Sequence, residues 1–393
     1  MSGPNQKIAI AGVGYSKLAR DSGQSIGHLA VTAAREAIRD AGLTADAIDG
    51  IGAVFSTDLA GVWPAYVMDG LDLKNIVWMG TSTPPSANII LDGVHAVASG
   101  ACTYAVCFHA KYRWDVTARD ARADALRRSP PMTFDPTFGK TLTEPCAAPN
   151  GAAALMRRHM HLYGSKRRHF GMIAVNNRTN AQLNPRAVFC GQPLSMDAYM
   201  AAKPIAEPFT ILDMDVPIDG AMAVIVTTAE RAADLKQPAV IVDACSHMAL
   251  PQSDMGFQPF DTPAAQRRLL EKLWSNSGCG PKDIDVANVY DGFTILTMTW
   301  LEAAFARPGE GPGLLEDAWD AKSGTLRLLG RIPMSTHGGN LSEGRVQGIG
   351  HVLEAVTQLR GHAGPRQVPD AKRALVLNGT NPVMCGMILS TPD

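Results

Sequence analysis

The chain has 393 residues, 46% of them hydrophobic and 19% charged, too many for one ordinary core and enough to bury a large interior. Thirty-six Lys and Arg stand against 37 Asp and Glu, a formal charge of −1, so the basic footprint of a nucleic-acid binder is missing. Seven scattered Cys without CxxC spacing exclude a zinc ribbon, a redox pair and a disulfide framework.

The opening, MSGPNQKIAIAGVGYSK, has neither the apolar run nor the cleavage pattern of a signal peptide, and no later run is long enough to span a bilayer. A soluble, cytoplasmic protein with no membrane partner is therefore expected. In chain order, short β-branched runs alternate with amphipathic stretches, the pattern of parallel sheets with crossover helices. Lys7–Tyr15 reads as a strand, Ser25–Ala41 as a helix stopped by Gly42, Gly50–Ser56 as a strand, Ala87–Ser99 as a helix and Thr103–His109 as a strand. Residues 112–200 then interrupt the alternation. This stretch holds an Arg-rich helical piece (Trp114–Arg128), the Pro-rich Ser129–Phe138 and a helix near Gly151–Tyr163, and it reads as an inserted loop subdomain.

Ala221–Thr228 closes the first series. A second series follows with strand Ala239–His247, helix Pro263–Asn276, and strands Val286–Phe293, Arg373–Asn378 and Met384–Ser390. Its first two strands repeat those of the first series at an offset of roughly 230 to 235 residues. The chain thus reads as a duplication, with an N-terminal half over residues 1–235 and a C-terminal half over 236–393.

Several familiar chemistries are absent. Gly12-Val-Gly14 follows a strand, but Lys17 stands at the third glycine place of a dinucleotide fingerprint. No phosphate loop, HExxH or GxSxG occurs, and Cys102 and Cys107 read as buried structural thiols. Two segments of the C-terminal half carry polar residues where α/β sheets place their sites. In Val289-Tyr290-Asp291-Gly292-Phe293-Thr294 the polar pair stands at the carboxyl end of a strand, although on these residues alone Tyr290 reads more readily as a cap on the core. The segment Ser335–His351 places five glycines, His337, Arg345 and His351 ahead of a helix over Val352–Arg360. Its N–H groups are candidate oxyanion donors; a structural loop is the alternative.

Together these segments resemble the thiolase superfamily, in the lipid-transfer-protein branch related to the thiolase of sterol carrier protein 2. The similarity runs through IAIAGVGYSK, the turn Val97–Gly100, residues 163–185 and 208–226, YDGFT and HGGNLSEGR. It implies a thiolase-like α/β fold, with duplicated βαβαβαββ halves in a five-layer αβαβα sandwich and a loop subdomain inserted in the first half. It also exposes departures. The family's nucleophilic Cys falls at Pro84–Ser86, where no Cys stands; its strand-end Asn or His falls on Tyr290, and its catalytic His on Arg345. Without a thiolate no acyl-enzyme forms.

This pattern is similar to that of the steroid side-chain aldolases, which cleave a β-hydroxyacyl-CoA by retro-aldol chemistry with a Tyr at the place of Tyr290. In their best-known form a second catalytic Tyr falls on Arg345. The resemblance implies Tyr290, Asp291, His337 and Arg345 as catalytic candidates, with Arg345 lowering the Tyr290 pKa or His337 or His351 relaying a proton. Gly338, Gly339, Ser342 and Gly344 are the expected thioester and oxyanion contacts, and Arg122 and Arg127 the expected partners of CoA phosphates. No metal and no cofactor is expected beyond the coenzyme A of the substrate. The implied partners are an acyl-CoA, a second copy of the chain, and a small OB-fold protein of the DUF35 type. The second copy is expected to cover Thr103–His109, read as an edge strand apolar on both faces. Two other functions stay open: a thiolase-like acyltransferase using another nucleophile, and a non-catalytic acyl-CoA- or lipid-binding subunit of a complex.

Overall fold

The computed structural model describes residues 6–54, 61–112, 147–250, 262–380 and 383–392. The Arg-rich and Pro-rich pieces of the insert, with Arg122 and Arg127, lie outside the described residues. The first series builds β1 (Ile8–Tyr15), α1 (Ile26–Ala41), β2 (Gly50–Val54), α2 (Pro64–Leu71), β3 (Trp78–Ser82), α3 (Asn88–Ala98) and β4 (Ala105–Lys111). The insert contributes α4 (Ala147–Tyr163), α5 (Arg167–Ala181) and α6 (Met196–Ala201), and a ribbon of β5 (Pro204–Ala206) and β6 (Phe209–Thr210) follows. After it come β7 (Gly220–Thr228) and α7 (Ala229–Ala233).

The second series builds β8 (Val240–Ala249), α8 (Thr262–Ser277), β9 (Val286–Val289), α9 (Thr294–Phe305) and α10 (Gly311–Ala318). A small sheet of β10 (Trp319–Asp320), β11 (Thr325–Leu328) and β12 (Ile332–Pro333) leads to α11 (Gly339–Ser342), α12 (Ile349–Leu359), β13 (Arg373–Thr380) and β14 (Val383–Ser390). Local chemistry sets the ends of α1: the Ser25 side chain accepts from the His28 N–H, and Gly42 closes it at φ 76°.

Nine strands form one sheet in the order β3-β2-β4-β7-β1-β8-β14-β13-β9. The two series pair alike on either side of the antiparallel β1–β8 junction, where Ile8 faces Val242. On one side β1 is antiparallel to β7, β7 to β4, and β4 runs parallel to β2. On the other, β8 is antiparallel to β14, β14 to β13, and β13 runs parallel to β9. Strand alternation then divides the core. Ala9, Ala221 and Ala223 pack with α1, whereas Ile8, Met222, Val224, Ala374 and Val376 pack with α3 and α12. Leu375 and Leu377 face α8 and α9. Helices α3 and α12 thus form a middle layer between the two halves of the sheet, with α1 and α8 on the outer faces. This is the five-layer αβαβα sandwich.

Two expectations fail. The strand expected over Val286–Phe293 ends at Val289, because Tyr290–Phe293 form the turn into α9. The strand expected to be an exposed edge, Thr103–His109, is β4, which runs between β2 and β7. Its apolar residues are explained by the α1 layer on one face and the α3 layer on the other, with no second chain required. The edge belongs instead to β3, whose sequence WMGTS lacks a β-branched run and alternates half-buried with exposed residues. Among the described residues no helix is long and apolar enough to cross a membrane.

Candidate active site

In the middle layer the N-termini of α3 and α12 meet, against the carboxyl ends of β9 and β13. Ser86, just before α3, donates its N–H to Gln347 O (3.1 Å), and its hydroxyl is shared between the carbonyls of Val346 (2.7 Å) and Gln347 (2.8 Å). A Cβ on Gly379, at the end of β13, would lie 2.5 Å from the Pro85 ring. On the other side Tyr290 N–H continues the β9–β13 ladder to Leu377 O (2.9 Å), and Trp300 Nε1 of α9 donates to Gly379 O (2.9 Å).

In the stretch Pro84–Ser86, where the resemblance puts a thiolase nucleophile, no Cys stands, and Ser86 is fully buried with its hydroxyl committed to backbone carbonyls. The nearby thiols do not replace it. Burial pushes Cys102 up to about 12 and holds Cys107 and Cys385 well above the ordinary thiol range, so all three remain protonated.

Tyr290 and Asp291 leave β9 together and are both buried. The Tyr290 ring lies 6.5 Å from that of His351, centroid to centroid. Asp291 is an organising carboxylate. Its oxygens accept the N–H groups of Asn340 (2.9 Å) and Leu341 (3.0 Å), at the start of α11, and Nδ2 of Asn177 from α5 (2.6 Å). His351 Nε2 stands 3.2 Å from Asp291 Oδ1 and 3.1 Å from Val289 O.

His337 is buried beside them, its ring edge-on to His351 at 5.0 Å and its Nε2 3.9 Å from Glu343 Oε2. Burial first, then His351 and Arg366, hold His337 well below the ordinary histidine value. Burial pushes Glu343 up to about 8, against the amide of Asn184 at 2.9 Å, which favours the carboxylate. At neutral pH this pair is an uncharged imidazole beside a carboxylic acid.

Arg345 is fixed by Asp215, with Nε 2.9 Å from Oδ2 and Nη1 3.3 Å from Oδ1. The charge expected to act on Tyr290 is thus matched by a buried carboxylate. The same short segment clamps both motifs: Asp215 N–H donates to Gly292 O, Val216 N–H to Asn340 O, and Arg345 N–H to Val216 O.

The glycine-rich segment needs a correction, because most of its N–H groups are already used. Gly338 donates to Ser335 O, Glu343 and Gly344 to Gly339 O, and Asn340 and Leu341 to Asp291. Its glycines serve close packing: a Cβ would lie 2.7 Å from Ala181 at Gly338, 2.0 Å from Asp291 at Gly339 and 2.5 Å from Ile218 at Gly344. Ser342 Oγ accepts from Arg178 Nε (3.1 Å) rather than facing a ligand. The sequence pattern missed Asn177 and Asp215, which hold the two motifs together, and also Asn288 and Asn378. The last two were visible as single asparagines inside the apolar runs VANV and LVLN.

Residues 245–390 match the model of the thiolase C-terminal domain-like family. The chain is 31% identical over 394 residues to the 17-hydroxy-3-oxo-4-pregnene-20-carboxyl-CoA lyase of Mycobacterium tuberculosis, covering 98% of this chain and 99% of that one. It is 31% identical over 392 residues to the steroid side-chain-cleaving aldolase of Thermomonospora curvata, covering 97% of both. Among solved structures it is similar to the Ltp2-ChsH2(DUF35) aldolase, with a TM-score of 0.83 and 28% identity over 98% of each chain.

Proposed function

The chain belongs to the thiolase superfamily, in the branch of the steroid side-chain-cleaving aldolases, and from that premise we propose that it is a carbon–carbon lyase acting on a β-hydroxyacyl-CoA. The acyl group is a steroid side chain or one of similar bulk. One observation carries the reading: at the nucleophile place Ser86 is buried and bonded to Val346 and Gln347, while a tyrosine stands at the end of β9. A thiolase-type acyltransferase would need a free nucleophile at that place.

In a 17-hydroxy-20-carboxyl-CoA thioester the hydroxyl is β to the thioester carbonyl. A base takes the hydroxyl proton, the oxygen electrons form a ketone, and the Cα–Cβ bond breaks. Its electron pair passes into a thioester enolate, and return of the proton to Cα gives the shortened acyl-CoA. The step needs no oxidant or reductant. Its barrier is lowered by a base at the hydroxyl and donors at the thioester oxygen. We place Tyr290 at the hydroxyl, while Asp291, its oxygens occupied, holds the turn that presents the ring.

We infer two protein partners. A small DUF35-type partner is supported by the aldolase assembly to which the chain is similar. A second copy of the chain is supported by the β3 edge, where Val77 is 73% and Met79 50% exposed. Incubation with a CoA thioester carrying a tertiary β-hydroxyl tests the activity by mass spectrometry. Equal amounts of ketone and shortened acyl-CoA are expected; acyl transfer, or unchanged thioester with the DUF35 partner present, overturns the reading.

A further inference from the structure

Asn288 in β9 and Asn378 in β13 are both fully buried, and neither the Oδ1 nor the Nδ2 of either side chain has a hydrogen-bond partner. Buried amides nearly always have a partner, in the protein or in ordered water, because leaving one open is unfavourable. Two open ones on one face mark a place that ordered water or a bound molecule completes.

Their position relates them to Tyr290. β9 and β13 run parallel with Asn288 opposite Val376 and Val289 opposite Leu377. The Tyr290 N–H extends that ladder to Leu377 O, which sets Tyr290 beside Asn378 on the neighbouring strand. Val286, Ala374 and Val376 face the middle layer; Asn288 and Asn378, each two residues further along its strand, share that face.

Asn378 meets the start of α12 directly. A Cβ on Gly348, which has φ 91°, would lie 2.1 Å from Asn378 Nδ2 and 2.3 Å from Oδ1. The amide therefore lies at the N-terminal end of an 11-residue helix, where developing negative charge is favoured.

We propose that Asn378 is a catalytic residue of the lyase reaction: its Nδ2 donates to the thioester carbonyl oxygen and holds the enolate as the Cα–Cβ bond breaks. The assignment rests on the lyase reading above. A β-hydroxyacyl thioester carries its two oxygens across three carbons, and two side chains on strands about 4.8 Å apart address one each. Tyr290 meets the hydroxyl and Asn378 the carbonyl. A neutral, already desolvated N–H needs little reorganisation when charge appears, which is the requirement for electrostatic stabilisation of an enolate. The glycine-rich N–H groups cannot take this part where they are bound to Ser335, Gly339 and Asp291.

The test is Asn378→Leu, which keeps the volume and removes both amide atoms. Since no other protein group meets those atoms, the variant should melt close to the wild-type temperature or above it. Its ketone release should fall by about 10²–10³. Exchange of the α-hydrogens of propionyl-CoA in D₂O, which needs the enolate but no carbon–carbon cleavage, should fall in parallel. If the leucine variant does not fold, Asn378→Asp, which turns an anion toward the enolate, should show the same two losses. Retention of more than half of both rates, with wild type active, overturns the assignment and leaves the lyase reading standing. A wild type that releases no ketone overturns the lyase reading, and the assignment with it.

Discussion

Tyr290 is held through its backbone on both sides, by its N–H to Leu377 O and by its carbonyl, which accepts from Thr297 Oγ1 at 3.1 Å. Tyr290→Phe should therefore leave the ring in place and remove only the hydroxyl. Loss of a group that moves a proton in the transition state costs on the order of 10²–10⁴ in rate, with the melting temperature little changed. A variant that keeps more than half of wild-type ketone release would take Tyr290 out of the mechanism. Glu343 gives a pH signature. Its folded value, about 8, lies above the ordinary 4.5, so as pH rises the unfolded chain releases the proton first. The Glu343 contribution to stability should be full below about pH 4.5 and be lost by about pH 8, a change of a few kcal/mol in order of magnitude. Urea unfolding at several pH values should show this slope, and Glu343→Gln should flatten it; an unchanged slope in that variant would place the titrating group elsewhere. At this scale Tyr290 and Asp291 were legible because a polar pair after an apolar strand is conspicuous. Asn378 was not, because a lone asparagine in LVLNG says nothing of whether its amide finds a partner once buried.

The element that organises the site is short. Helix α11 exists because Gly339 turns at φ 61° while its N-terminal N–H groups reach Asp291, with no room for a Cβ. Gly339→Ala should then cost on the order of 1–3 kcal/mol and pull Asn340 and Leu341 away from the carboxylate. Gly361→Ala is the control: it has a similar φ of 72° but nothing within 4 Å, so it carries the backbone strain without the clash. Equal losses for the two in denaturant unfolding would show that Asp291 does not organise the segment. Glycine density and the histidines marked this stretch in the sequence. The use of the Asn340, Leu341 and Arg345 N–H groups could not be read there, because their acceptors lie on Asp291 and Val216, far away in the chain. The strand limit failed at Val289 because the turn Tyr290–Phe293 opens and closes on an aromatic residue, which reads as strand.

For the whole molecule, alternation of strands and helices indicated an α/β chain with two similar halves, whereas the layered sandwich was implied by the family resemblance. The strand at the sheet edge was not legible, since an edge needs little hydrophobicity and β3 has little. If the chain pairs with a second copy through that edge, Val77→Lys together with Met79→Glu should convert a dimer to a monomer in light scattering without unfolding it. A wild-type chain already monomeric at micromolar concentration would remove the dimer.

The central claim is carbon–carbon cleavage on a thiolase scaffold without a thiolate. It is tested most directly by alkylating the native protein with iodoacetamide, adding the DUF35 partner, and measuring ketone release from a β-hydroxyacyl-CoA. Among the described residues Cys190 is exposed and the thiols of the middle layer are buried and protonated. The alkylated protein should keep turnover within a few-fold of the untreated one. Rapid inactivation, stoichiometric with one modified cysteine and prevented by bound thioester, would contradict the claim.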